Sequence, residues 1–302
     1  MQAVTGRIEQ MTEAATSIMN TNTPSKTGAH RFCTAPLMDW SDRHCRYFWR
    51  TLSQNAFVYS EMVTTGAIIH GKGGPERFLG YNQEEHPVAL QLGGSKPSEL
   101  AQCAKIAQDY GYDEVNLNAG CPSDRVQNNM IGACLMGHAP LVADCIKAMQ
   151  DTVEIPVTIK HRIGIDDQDS YQELADFVGT VAATGCNTFI VHARKAILQG
   201  LSPKQNREIP PLKYDVVKKI KQDFPQLEVI LNGGLETIEQ MHDVLDYTDG
   251  VMVGRAAYHN PGLLLDVDHE FYGQAKTVID RKQTVRNMYP YIENHLSQDG
   301  KL

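Results

Sequence analysis

The run Asn116-Leu-Asn-Ala-Gly-Cys-Pro-Ser123 gathers groups that can do chemistry. One thiol, Cys121, stands between Gly120 and Pro122, and two amides, Asn116 and Asn118, precede it at the end of an apolar strand that begins at Glu114. A strand end is rigid and a Gly-Cys-Pro turn is stiff, so the thiol would be fixed beside hydrogen-bonding groups. That placement suits an acid or a nucleophile.

Other reactive types recur at comparable places, each at the end of a short apolar run. Pro36, Leu37 and Met38 end the first run, and Gln91 ends the third ahead of Gly93-Gly94. Lys160 ends the fifth, in Lys160-His161-Arg162. A lysine at the end of a buried strand is desolvated unless paired, so it should meet an anion or an electron-rich ring edge. A salt bridge to a barrel carboxylate is the plainer alternative. His192 and Arg194 follow the sixth run at a spacing that puts both on one side of a strand. For His192 alone, a satisfied core histidine competes with a site residue. Asn232-Gly233-Gly234 and Gly254-Arg255 close the seventh and eighth runs. Glycines there let backbone N–H groups approach an anion, and Arg255 can add a charge-assisted bond.

The elements that must position these groups follow from the pattern. Phe32–Pro36, Phe57–Ser60, Val88–Leu92, Val115–Leu117, Val157–Lys160, Thr188–His192, Val229–Leu231 and Val251–Val253 are short, Val- and Ile-rich, and lack strong alternation. Parallel strands buried on both faces look like this. Amphipathic stretches of helical period lie between several of them: Ser98–Tyr110, Pro140–Gln150, Ser170–Thr184, Tyr214–Asp223 and Thr237–Asp246. Strand and helix in alternation predict an α/β chain, a (β/α)8 TIM barrel over residues 30–265. A doubly wound sheet would carry G-x-G-x-x-G after its first strand, and Phe32–Met38 has none. In such a barrel the active site lies at the C-terminal strand ends, where every group named above falls. Residues 266–302 change character. Tyr272–His295 reads as one or two helices, and the segment is too short for a core of its own. Residues 1–29 are polar, without the apolar stretch of a secretory signal, and read as a disordered extension.

Composition narrows the partners. The net charge of −8 argues weakly against nucleic acid. From Arg194 to Asp223, however, eight Lys/Arg face three Asp/Glu, and such a basic face can still meet phosphates. A solvated helix surface accounts equally well for Lys218, Lys219 and Lys221. Seven cysteines without a C-x-x-C point to reduced thiols in a cytoplasmic enzyme, with neither disulfides nor a metal site. Cys33, Cys103, Cys145 and Cys186 lie in apolar segments and should be buried. No apolar run approaches the ~18 residues of a membrane span.

Taken in order, these motifs resemble the tRNA-dihydrouridine synthases, flavoenzymes built on an FMN-binding barrel. The matching pieces are Ala35-Pro-Leu-Met-Asp39, Ala89-Leu-Gln-Leu-Gly93, Asn116–Ser123, Ile159-Lys-His-Arg162, Val191-His-Ala-Arg194, Leu231-Asn-Gly-Gly234 and Val253-Gly-Arg255. The likeness is strongest to the tRNA-dihydrouridine(20/20a) synthase subfamily. It is carried there by Trp40–Arg50, Glu61-Met-Val-Thr-Thr-Gly66, Glu76-Arg-Phe-Leu-Gly80, Ile163-Gly-Ile-Asp-Asp-Gln168 and the loop Gly200–Leu212. It spans Arg31 to Leu265.

The resemblance implies that Pro36, Leu37, Met38, Gln91, Lys160, His192, Asn232, Gly233, Gly234, Gly254 and Arg255 hold FMN. It makes Cys121 the catalytic proton donor and puts Asn118 against the target nucleotide. Lys204 and Arg207 match the subfamily's tRNA-binding signature, and Arg194 opens the same basic loop toward the tRNA backbone. NADPH would be the electron donor. Hydride would pass from reduced FMN to uridine C6, and Cys121 would protonate C5, at positions 20 and 20a of the tRNA D-loop. A thiol suits the acid role because an ordinary cysteine, with a pKa of about 8.5, is protonated at neutral pH. The uridine must leave its stack to enter a barrel mouth. The resemblance is to a cytoplasmic enzyme with tRNA as its partner and no membrane, expected to act as a monomer. The family continues into a helical tRNA-binding domain, of which residues 266–302 read as an incomplete beginning. Asn129 stands where the family has glycine, and asparagine tolerates positive φ better than most residues. The alternative is an FMN barrel acting on a free pyrimidine or another small enone-like substrate, which would not need the basic loop.

Overall fold

The short apolar runs become eight parallel strands. A computed structural model describes residues 28–299 apart from 128, 277 and 279, so most of the expected N-terminal extension lies outside the described residues. The strands are β1 (Phe32–Thr34), β2 (Val58–Thr64), β3 (Val88–Gly93), β4 (Glu114–Ala119), β5 (Val157–Arg162), β6 (Thr188–His192), β7 (Glu228–Asn232) and β8 (Gly250–Val253). They pair in the order β1-β8-β7-β6-β5-β4-β3-β2. The ring closes ahead of β2. There the Thr34 N–H donates to Phe57 O and the Phe57 N–H to Phe32 O, each at 2.9 Å, around a single parallel bridge between Cys33 and Phe57.

Helices Pro97–Tyr110, Ala139–Gln150, Tyr171–Ala182, Tyr214–Asp223 and Ile238–Leu245 return the chain between strands, close to their predicted bounds. Local chemistry starts two of them. Ser170 with Glu173, and Thr237 with Gln240, each satisfy two backbone donors in a capping box. The main core lies between strands and helices and includes Val58, Leu90, Leu117, Ile159, Val191, Leu231 and Val253. A second cluster fills the barrel itself: Cys33, Ala35, Phe57, Tyr59, Ala89, Ile190, Ile230 and Met252. Successive strand residues point to opposite faces. Even where both faces are apolar, then, the barrel is sorted into an inward and an outward set. Cys33, Cys103, Cys145 and Cys186 are buried, as composition suggested.

After β8 the helix Val267–Tyr272 packs under the barrel. Phe271 stacks on Phe32 with ring centroids 5.5 Å apart, and Asp268 accepts the Gln54 and Asn55 N–H groups at 2.7 and 3.1 Å. Helices Arg281–Asn287 and Tyr289–Asp299 follow, and the ring of Tyr291 lies 3.9 Å from that of Tyr47.

Candidate active site

The strand ends surround one cavity of about 710 Å³. Its walls include Pro36, Leu37, Met38, Gln91, Asn118, Cys121, Lys160, His192, Arg207, Asn232, Gly233, Gly234, Gly254 and Arg255. Alternation explains the convergence. Gln91, Asn118, Lys160, His192 and Asn232 belong to the inward set of their strands, continuing the rows that begin at Ala89, Ile190 and Ile230. Strand register then sets their heights. Asn118 stands level with Lys160, and Arg162, His192 and Asn232 are level with one another.

Cys121 is held from two sides. The Asn118 carboxamide oxygen accepts the Gly120 and Cys121 N–H groups at 3.0 and 2.9 Å. Behind the turn, the Cys121 carbonyl accepts the Ala133 N–H at 2.8 Å. Gly132 passes so close that a Cβ there would lie 2.3 Å from the Cys121 oxygen, at a φ of 85° that disfavours side chains. The thiol itself is half-buried and faces the cavity.

Asn118 is the upper end of a polar column inside the barrel. It donates to Gln91, Gln91 to Asn116, and Asn116 to Thr158, each at 2.8 Å. Thr158 and Tyr59 donate to one oxygen of Glu114 at 2.6 and 2.7 Å. The other Glu114 oxygen meets His30 at 2.7 Å, and His30 meets Glu228 at 3.0 Å. Burial alone would push the His30 imidazole down, but its bonds to the two carboxylates and their charge lift it to about 10. This column was not anticipated. Asn116 sits fully buried within β4 instead of at a strand end. The period-2 series Glu114, Asn116, Asn118 in an apolar strand was its visible signal.

The opposite wall is cationic. Lys160 lies within β5, two residues before its end, and has no ion pair among the described residues. Burial, reinforced by Arg162, lowers its ammonium to about 7. The salt-bridge alternative therefore does not describe it. Burial also lowers His192 well below the ordinary range, with Arg162, Lys160, Arg194 and Arg207 adding to the effect, so its ring is neutral. Arg162, quoted in sequence but given no role, ties the mouth together. It donates to Gly120 O at 2.8 Å and to Lys195 O and Asn206 O at 3.1 Å each.

The basic loop is divided in use. Arg207 reaches the cavity and Lys204 stays exposed. Arg194 does not share the face of His192, because β6 stops at His192. Beyond that point Arg194 turns to the carbonyls of Glu208 and Pro210. Met130, next to Asn129, carries a left-handed φ of 55°.

The donors present fit an anionic group with a ring. Among the described residues the Nε of Arg207 is buried without a hydrogen-bond partner. A Cβ on Gly233, whose φ is 116°, would lie 2.7 Å from the His192 ring, so only glycine leaves this cradle open. The Tyr214 hydroxyl holds the Gly233 carbonyl at 2.6 Å, and the Asn232 amide holds Met252 O at 2.8 Å. Among the described residues no group of three or more His, Cys, Asp or Glu side chains could hold a metal ion, and no helix is long and apolar enough to cross a membrane.

Comparison with known proteins adds an independent line. Residues 33–302 match the profile of the family described as Dihydrouridine synthase (Dus). The chain is 63% identical over 279 residues to the tRNA-dihydrouridine(20/20a) synthase of Shigella flexneri, covering 91% of this chain and 81% of that protein. With the protein of the same name from Pseudomonas aeruginosa the figures are 58% over 282 residues, 93% and 84%. Among solved structures it is similar to the old yellow enzyme homologue from Zymomonas mobilis, at a TM-score of 0.56 and 15% identity, over 84% of this chain and 91% of that one. Morphinone reductase in complex with tetrahydroNAD gives 0.53 and 15%, over 84% and 90%. At that identity the structural likeness shows a shared barrel fold and nothing about chemistry.

Proposed function

The chain belongs to the dihydrouridine synthase family, and from that premise we propose that it reduces uridine to dihydrouridine in tRNA, at D-loop positions 20 and 20a. The observation that carries this reading is one cavity that brings the Cys121 thiol together with an unpaired Lys160 and a glycine cradle.

In this reading Pro36, Leu37, Met38, Gln91, Lys160, His192, Asn232, Gly233, Gly234, Gly254 and Arg255 hold FMN. FMN, recharged by NADPH, would supply the hydride for C6 of uridine. The chain supplies the rest. Cys121 gives its proton to C5, from a turn that Asn118 keeps fixed. Burial lowers the Lys160 ammonium to about 7, so an electron-rich group beside it would draw the proton back, and the restored charge would stabilise that group. Because the Asn118 oxygen is already engaged by the turn, Asn118 acts on the nucleotide through its remaining amide hydrogen or through Cys121. Lys204 meets the RNA backbone outside the mouth, and Arg207 acts nearer the reacting groups.

The test is direct. Purified protein should show flavin absorbance, bleach with NADPH and regain colour with unmodified tRNA. Dihydrouridine should then appear at positions 20 and 20a. A protein that cannot be loaded with FMN, or that reduces free uracil as well as tRNA, overturns the proposal.

A further inference from the structure

Aromatic rings gather at the cavity rim. Trp40 lines the cavity, and its indole stacks on Tyr258 with centroids 4.6 Å apart and planes 21° from parallel. His259 meets the same indole edge-on at 5.2 Å. Tyr258 is 39% exposed and Met38, two residues before Trp40, is 54% exposed. Exposed apolar groups are ordinarily scattered singly, so a cluster at one rim calls for a partner.

The turn that presents Trp40 is strained and heavily braced. Asp39 adopts a φ of 64°, rarely taken by a residue with a side chain. Its N–H donates to Glu61 Oε1 at 2.5 Å. The Leu37 N–H donates to Ser41 Oγ at 2.8 Å, while the Trp40 and Ser41 N–H groups return to Leu37 O at 3.0 and 2.9 Å. Strain held by so many bonds is typical of a functional position. On the other side, Tyr258 and His259 ride on the short helix Arg255–His259, whose first residue faces the cavity.

We infer that Trp40, backed by Tyr258, is a stacking platform for a base adjacent to the target uridine, an inference that rests on the tRNA reading above. Extruding one nucleotide leaves its neighbour without a stacking partner. An indole face at the mouth replaces that partner, and does so whatever the base. Lys204, exposed beside the cavity-lining Pro203, complements a neighbouring phosphate outside the mouth.

The experiment compares wild type, Trp40→Ala and Trp40→Phe as flavin-loaded proteins. Trp40→Ala should weaken tRNA binding and raise KM for tRNA by about 5- to 100-fold. The salt dependence of binding should stay unchanged, because stacking displaces no counterions. Flavin content and reduction by NADPH should also be unchanged, and Trp40→Phe should recover most of the affinity. Tyr258→Ala should show a smaller loss in the same direction. The only other tryptophan, Trp49, is 1% exposed, so tRNA should change the emission of wild type and not of Trp40→Phe. Equal tRNA affinity in Trp40→Ala and wild type overturns the platform alone. Loss of flavin in Trp40→Ala makes Trp40 a cofactor wall and overturns it too. A wild type that neither binds nor reduces tRNA removes the functional reading beneath it.

Discussion

Cys121 and Lys160 show how much one residue's neighbours decide. Both stand in the same cavity, but Cys121 is placed by backbone bonds, whereas Lys160 has no ion pair among the described residues. Flanking Gly120 and Pro122 made the thiol conspicuous in the sequence, and so did its strand. Nothing in the sequence showed that Asn118 would be spent on holding that turn, because the bonds are between side chain and backbone. Replacing Cys121 by Ala should leave bound flavin and its reduction by NADPH intact, and slow uridine reduction by roughly 100-fold or more. Stopped-flow measurement of the two half-reactions separates these effects, and loss of flavin in the variant would make Cys121 structural.

Element by element, the strands were legible and their inner faces were not. Short Val- and Ile-rich runs announced eight strands. They did not announce that the alternate polar set of β4 would be bonded to Gln91 and Thr158, since those partners stand on neighbouring strands. His30 was invisible for a plainer reason: its partners Glu114 and Glu228 lie 84 and 198 residues away. Its charge gives a pH signature. A folded value of about 10, above the ordinary 6.5, means that His30 stabilises the fold fully below pH 6.5. That contribution fades as pH rises toward 10. His30→Gln leaves two carboxylates without their cation and should lose about 3 kcal/mol at pH 6. The deficit relative to wild type should shrink toward pH 10, as denaturant melts across that range will show; a constant deficit would mean that His30 is neutral in the fold.

At the scale of the whole molecule, an acidic chain of net charge −8 opens a cationic mouth. The excess of Lys/Arg between Arg194 and Asp223 was readable, but its division between cavity and rim was not, because it depends on where β6 stops. Lys204→Ala should weaken tRNA binding and lower the salt slope by about one, whereas Arg207→Ala should also reduce flavin content. An unchanged slope in Lys204→Ala would place the RNA elsewhere. The barrel has a further property of its own. Seven of its strand junctions are ladders of three or more paired residues, that of β2 with β3 interrupted between Tyr59 and Met62, and the eighth is a single bridge flanked by two hydrogen bonds. A ring with one thin joint opens there first. The amide protons of Thr34 and Phe57 should therefore trade for deuterium well before those of β4 and β5. The barrel would then breathe like a split collar, parting beside Pro36 and Met38 while the wall behind Cys121 stays shut.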